Sequence, residues 1–239
     1  MENIVIIGAS GHGAMILDCV EKQSKYNVIG FVDSFKEKGT NQNGYEILGC
    51  ELDLPMLIAK HDLYGAILAI GNNWTRKTMS DSLRDIAPSL EFVTAIHPSA
   101  LIGKDVQIGK GCVIMPGAIV NASSKIADFC ILNTNSSLGH DSMMENFSSI
   151  ASGVCTGGNL RLGVFSAISL GANIIENIKV GEHSIIGAGS LVVKDVESYT
   201  VVYGSPARFI RKRSVADPYL SGDTGFSSAS VLPIKRSGS

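Results

Sequence analysis

Two rhythms of apolar residues divide the chain. From Ile96 to Val192 one position recurs every sixth residue without a slip: Ile96, Ile102, Ile108, Ile114, Val120, Ile126, Leu132, Leu138, Met144, Ile150, Thr156, Leu162, Ile168, Ile174, Val180, Ile186 and Val192. Only Thr156 is not aliphatic. A short fixed period marks a solenoid, and a hexapeptide period a parallel β-helix. Three hexads close one triangular coil, so residues eighteen apart stack and the repeats give a little over five coils. Small residues recur two positions before the aliphatic one, at Ala100, Cys112, Ala118, Ser124, Cys130, Ser136, Ser142, Ser148, Ser166, Ala172, Ser184 and Ser190, as a tight inner corner requires. Glycine often follows the aliphatic residue, as at Gly103, Gly109, Gly139, Gly157, Gly163, Gly181 and Gly187. Backbone angles that a β-carbon resists are expected there.

Residues 1–92 have another rhythm. Asn3–Ile7 reads as a short buried strand, Gly8–Gly13 as a turn and Ala14–Lys22 as a helix. Val28–Asp33 is a second strand, Asp53–Lys60 a helix, Gly65–Gly71 a third strand and Thr75–Ile86 a helix. Strands alternating with helices predict a parallel sheet. Three strands make a truncated Rossmann-like unit, with Phe35–Tyr45 a polar loop. The expected domains are therefore 1–92, an α/β Rossmann-like unit, and 93–213, the β-helix. Residues 214–239 are polar, without a period, and are expected to be a disordered tail.

Composition adds exclusions. A net charge of −2 on 239 residues argues against nucleic acid as a partner. No apolar run is long enough to enter and span a membrane. The opening MENIVIIGASGHG lacks the basic start of a signal peptide and reads as a first strand. The five cysteines, Cys19, Cys50, Cys112, Cys130 and Cys155, are odd in number and widely spaced, without CxxC, which argues against disulfides and zinc. A cytoplasmic protein is expected.

Four motifs then carry a resemblance: GASGHG after the first strand, AIGNN ending the third, NTNSSLGHD within the hexads, and GSPAR after them. In this order they resemble the bacterial nucleotide-amino-sugar N-acetyltransferases of the bacillosamine and perosamine type. Sialic-acid O-acetyltransferases share the architecture. The resemblance covers about residues 1–213. It implies left-handed coiling, which breaks the usual right-handed crossover rule. It also implies acetyl-CoA as co-substrate, a nucleotide sugar as acceptor and a homotrimer with active sites between subunits.

His140 is the expected chemical centre. A histidine at a solenoid edge, followed by an acid that can orient it, fits general-base work near neutral pH. A surface histidine beside a surface Asp141 is the plainer alternative. The eighteen-residue coil stacks Gly158 over His140, about one strand spacing away. The resemblance gives the Gly158 N–H the developing oxyanion of the acyl transfer. It also matches Asn133 to the acceptor side, although an asparagine in a β-helix turn has structural uses too. The bacillosamine-type enzymes carry a second histidine nine residues after the base; here Ser149 stands in its place, able to donate a hydrogen bond but not to carry a charge.

In this family the first loop and the acid ending the second strand receive the nucleotide sugar. The matching residues are Ser10, Gly11, His12 and Asp33, with Lys36 as a phosphate partner. Backbone amides at a helix start facing an anion supply the physical reason. A tight structural turn is the alternative. By the same resemblance CoA lies along the later coils, touching Ser149, Gly158, Leu170, Gly171 and Ala188. The basic cluster Arg208, Arg211, Lys212 and Arg213 either meets its phosphates or is a solvated helix end.

Two other classes compete. A zinc enzyme would need His97, His140 and His183 to converge on one ion. At 43-residue spacing, about 2.4 coils, they do not stack on one edge, so no metal is expected. A non-catalytic trimeric scaffold or nucleotide-sugar-binding protein would need the solenoid but not His140, Asp141 and Gly158 together.

Overall fold

The computed structural model describes residues 1–220. The expected tail falls mostly on residues 221–239, which lie outside the described residues.

The N-terminal unit is a six-stranded sheet. Its strands are β1 (Glu2–Ile7), β2 (Tyr26–Val32), β3 (Asn41–Gln42), β4 (Tyr45–Gly49), β5 (Leu63–Leu68) and β6 (Glu91–Phe92), in the order β3-β4-β2-β1-β5-β6. All neighbours are parallel except the β3–β4 hairpin. Helices α1 (Gly11–Gln23), α2 (Leu54–His61) and α3 (Asn73–Ile86) make the connections. The central strand β1 is buried on both faces from Ile4 to Ile7, which is why it reads as an unbroken apolar run.

Two local expectations change. The polar stretch Phe35–Tyr45 holds β3 and the turn Asn43–Gly44, both residues at positive φ, so the chain forms a short hairpin where a loop was expected. The glycine segment Gly8–Gly13 is a turn only to Ser10; Gly11 onward is already α1. Gly13 serves close packing, since a β-carbon there would collide with the Gly8 carbonyl oxygen. Composition alone does not separate a glycine that bends the chain from one that lets two segments touch.

The rest is a left-handed parallel β-helix. Seventeen two-residue rungs, from Ala95–Ile96 to Leu191–Val192, form three flat faces. The first face carries Ala95, Val113, Ile131, Ser149, Ala167 and Ile185; the second carries Leu101, Ile119, Ser137, Cys155, Asn173 and Leu191; the third carries Gln107, Lys125, Met143, Arg161 and Lys179. Every rung position from Ile114 to Val192 is buried, Thr156 included. The inner serines are buried too and turn their hydroxyls to carbonyls, as Ser136 Oγ does to Asn133 O at 2.7 Å.

The glycines that follow the aliphatic rung serve a different purpose from the one expected. Gly103, Gly109, Gly139, Gly157, Gly163, Gly181 and Gly187 do not adopt positive φ; a β-carbon there would run into the chain segment stacked next, which at Gly187 is Tyr203 of the closing hairpin. Positive φ falls two residues later, at Asp105, Ser123, Asp141, Asn159 and Asn177 along one edge. Aspartate and asparagine tolerate that region through local hydrogen bonding.

The sheet unit sits on the first face and one adjoining edge. Helix α1 packs Ile16, Leu17 and Cys19 against Val113, Met115 and Ile131. Along the edge between the third and first faces runs an aromatic column. Phe92–Phe129, Phe129–Phe147, Phe147–Phe165, Phe165–His183 and His183–Tyr199 have ring centroids 4.9, 4.7, 5.6, 4.6 and 5.0 Å apart. Trp74 of α3 joins it at Phe165, 5.3 Å away. After the last coil the chain forms the hairpin Thr200–Gly204 and Ala207–Lys212, so the basic cluster lies on a strand and its following residue, not a helix end.

Candidate active site

His140 and Asp141 stand at the corner between the second and third faces. Asp141 takes positive φ, turning its carboxylate back onto the preceding ring. His140 Nδ1 lies 2.7 Å from Asp141 Oδ2. A carboxylate only accepts, so Nδ1 is the protonated nitrogen and Nε2 keeps its lone pair. The His140 side chain is 63% exposed, so a solute can reach it.

Gly158 lies beneath the ring. A β-carbon there would come within 2.5 Å of His140 Nε2 and 2.6 Å of Cε1. The absence of a side chain is what seats the imidazole. Among the described residues the Gly158 N–H makes no hydrogen bond, while its carbonyl accepts from Asn177 N at 2.9 Å. A base with a free lone pair beside an uncommitted backbone donor can take a proton and stabilise an oxyanion.

The other expected residues lie elsewhere on the prism. Asn133, Leu170, Gly171 and Ala188 fall along the edge between the first and second faces, Leu170 and Ala188 exposed and Gly171 at positive φ. Asn133 Oδ1 accepts from the Thr134 N–H at 2.9 Å, a bond internal to its corner. Ser149 is on the first face, the one the sheet unit covers, near the half-buried Tyr219. His97, His140 and His183 stand on three different edges. Among the described residues no group of three His, Cys, Asp or Glu could hold a metal.

The loop after β1 is remote from the His140 edge within one chain. Ser10 caps α1 with extended backbone, and its hydroxyl makes no capping bond, so it and Gly11 are exposed at the helix start. Asp33 is already engaged: Oδ2 accepts from Ala9 N at 2.7 Å and Oδ1 from Phe35 N at 2.8 Å, joining the two loops at the strand ends. Lys36 is exposed beside them. His12 is half-buried; among the described residues its buried Nε2 has no hydrogen-bond partner, and burial, then the nearby Arg76 cation, push its pKa down to about 4.

Arg76, Tyr219 and Thr156 were not singled out as site or joint residues by sequence. Arg76 is fully buried and, among the described residues, pairs with no carboxylate. Its guanidinium donates to Phe129 O, Ile70 O, Gly71 O, Asn73 Oδ1 and Phe147 O, at 2.9, 2.8, 3.0, 2.7 and 3.3 Å, binding α3 to two coils. Nothing in the pattern marks it, since an arginine on a polar helix reads as solvated. Tyr219, in the stretch expected to be tail, accepts from the Asn73 N–H at 3.1 Å. Of the basic cluster, Arg213 turns inward to donate to His183 O, while Arg208, Arg211 and Lys212 stay exposed.

Residues 3–83 match the PglD N-terminal domain family. A UDP-N-acetylbacillosamine N-acetyltransferase of Bacillus subtilis (strain 168) is 30% identical over 119 residues, 48% of this chain and 52% of that protein. The chain thus matches about half the length of that curated relative. The crystal structure of PerB from Caulobacter crescentus, in complex with CoA and GDP-perosamine, superposes with a TM-score of 0.82 at 29% identity, covering 88% of this chain and 98% of that one. The acetyltransferase domain of PglB from Neisseria gonorrhoeae FA1090, in complex with acetyl coenzyme A, gives 0.78 at 27% identity, covering 87% and 99%. Along most of its length the chain is thus similar in sequence and fold to solved acetyltransferase structures, one of them bound to CoA and a nucleotide sugar.

Proposed function

We propose that the protein transfers an acetyl group from acetyl-CoA to the amine of a nucleotide-linked amino sugar, a 4-amino-4,6-dideoxyhexose, in cytoplasmic glycan biosynthesis. The observation that carries this reading is His140, held by Asp141 through Nδ1 and resting on Gly158 through Nε2. The bound CoA and GDP-perosamine in the Caulobacter crescentus relative support the substrate classes.

The amine nitrogen attacks the thioester carbonyl carbon. His140 Nε2 takes the amine proton, and Asp141 steadies the imidazolium that forms. The carbonyl oxygen becomes an oxyanion, and the Gly158 N–H donates to it. The carbon–sulfur bond then breaks, and the departing CoA thiolate takes the proton back from His140. No acyl-enzyme is needed, so no activated serine or cysteine is required.

Ser10, Gly11 and Lys36 hold the nucleotide sugar's phosphates, with His12 and Asp33 shaping the loop. Leu170, Gly171 and Ala188 form the CoA edge. The His140 edge and the first loop belong to different sides of one prism, which supports a homotrimer whose sites are completed by a neighbouring copy. The exposed Leu101, Ile119 and Leu170 give the second face and its edge apolar surface for that contact.

The test is release of CoA thiol from acetyl-CoA with UDP-, GDP- and dTDP-linked 4-amino-4,6-dideoxy sugars and sialic acid. Release with one amino sugar is expected, and His140→Ala lowers turnover by at least about a hundredfold, the usual scale of general-base catalysis. Release with sialic acid alone would make the protein an O-acetyltransferase. A fully active His140→Ala would remove the mechanism, and silence with every acceptor would favour the scaffold.

A further inference from the structure

The corner that holds His140 departs from the repeat in three places, and all three point to the one rung that is not aliphatic. On the second face the residue after each rung donates its N–H to the backbone carbonyl one coil on. Gly103 N to Val120 O, Asn121 N to Leu138 O, Gly157 N to Ile174 O and Ile175 N to Val192 O span 2.7, 3.0, 2.8 and 3.1 Å. Gly139 N breaks the series and donates to the side-chain oxygen of Thr156, at 3.0 Å. The strand pairing breaks with it: neighbouring rungs match two residues, whereas here only Ser137 pairs with Cys155.

The inner serine departs next. Ser136 and Ser190, before second-face rungs, donate three residues back, whereas before rungs of the first and third faces Ser124 Oγ donates to Gly139 O at 2.9 Å and Ser166 Oγ to Gly181 O at 2.6 Å, each fifteen residues on. The Cys112 and Cys130 thiols do the same, to Ala127 O and Glu145 O, at 3.0 and 3.1 Å. By that rule Ser142 would donate to Gly157 O. It donates to His140 O instead, at 3.3 Å.

The missing carbonyl is found on the other side. At Gly103, Gly157 and Gly163 a β-carbon would first meet the backbone nitrogen nineteen residues on, at 2.6, 2.5 and 2.6 Å. At Gly139 it would land on the Gly157 carbonyl oxygen. The Gly157–Gly158 peptide is therefore turned relative to its counterparts. Because the peptide is planar, the Gly158 N–H turns with the Gly157 carbonyl. Glycine at 139 and at 157 makes the turn sterically possible.

We propose that the Thr156 hydroxyl is the positioning residue that holds the Gly158 N–H in its turned orientation. By occupying Gly139 N, it replaces the ladder bond that would draw this corner back to the regular geometry. A hydroxyl buried in an otherwise aliphatic column costs stability that a solenoid has no structural reason to give up. The consequence for catalysis rests on the acyl-transfer reading above, with Gly158 N–H as oxyanion donor; the peptide geometry does not.

Thr156→Val keeps the shape and removes the hydroxyl; Thr156→Ser keeps the hydroxyl. The valine variant is expected to lose about 30-fold in kcat, within the scale of misplacing a catalytic group by a fraction of an ångström to one ångström. Its KM for acetyl-CoA stays within about twofold and its Tm does not fall. The serine variant keeps most of the wild-type kcat. A crystal structure of the valine variant shows Gly139 N donating to the backbone carbonyl of residue 156 and Ser142 Oγ donating to Gly157 O. Wild-type kcat in Thr156→Val, an equally slow Thr156→Ser, or an unmoved Gly157–Gly158 peptide would each overturn the proposal. If the wild type releases no CoA thiol, the acyl-transfer reading fails, and the peptide in the valine variant's structure still decides this one.

Discussion

In the prism a residue's neighbours follow from its number; in the sheet unit they do not. Residues 140 and 158, or 129, 147 and 165, touch because the coil is eighteen residues long. Across β1 the partners come from residues 26–32 on one side and 63–68 on the other, with a register shift on each side. A repeat therefore makes an exception visible, and the exceptions in the prism cluster at His140, Thr156 and Gly158. The sheet unit has no background against which an exception would stand out. Its most unusual residue, the buried Arg76, is silent in the sequence.

Arg76 is where the two regions can be pulled apart, and it carries the largest expected effect. Arg76→Ala leaves four carbonyls and the Asn73 amide oxygen without their donor and opens a cavity under α3. A stability loss on the order of 4 kcal/mol in urea unfolding is expected. A loss below about 1 kcal/mol would mean that apolar contacts alone hold the joint.

Gly158→Ala tests the prism side at its most crowded point. The new methyl needs the space of the His140 ring, which must swing off Asp141. A fall in kcat of about a hundredfold, roughly 2.7 kcal/mol of transition-state stabilisation, is expected with little change in unfolding midpoint. Unchanged turnover would show that the ring need not rest on Gly158 to act.

The legible parts of the molecule divide along the same line. The hexad series identified the β-helix, the three faces and the stacking of Gly158 on His140. It also marked Thr156 as the odd rung, though not what its hydroxyl does, because a side chain taking over a ladder bond leaves no trace in spacing. The glycines were legible as positions and misread as causes: they admit a neighbouring coil, while Asp141 and its counterparts take the left-handed angles. In the sheet unit the alternation gave three strands and three helices. It missed β3 and β6, because two-residue edge strands carry too little pattern, and β4, because Tyr45–Gly49 has only two aliphatic residues between a polar stretch and a glycine.

His12 offers a smaller effect that sharpens the same contrast, since its environment comes from burial and then Arg76 rather than a repeat. Its pKa falls from 6.5 to about 4 on folding. The unfolded chain then binds the extra proton between those values, so stability is complete above about pH 6.5 and declines as pH drops toward 4. At pH 5 the loss is about 2 kcal/mol relative to pH 7. His12→Gln should flatten that decline in urea titrations; an equally steep decline in the variant would assign it to other groups.

Asp141 carries the smallest expected effect and the cleanest separation of structure from chemistry. Its place in the coil demands positive φ, and the same edge uses Asp105, Asn159 and Asn177 there. An aspartate at 141 is thus half explained by the backbone alone. Alanine would confound the two causes, because it strains the turn and removes the carboxylate together. Asparagine does not: Asn159 and Asn177 show that the turn accepts it, joined by a 3.1 Å side-chain bond between adjacent coils. Asp141→Asn should leave the unfolding midpoint in place and lower kcat about tenfold. The modest figure reflects a pair open to solvent, where a carboxylate steadies an imidazolium less than in a buried site. Wild-type kcat in Asp141→Asn would return Asp141 to the row of turn residues and leave His140 to act without it.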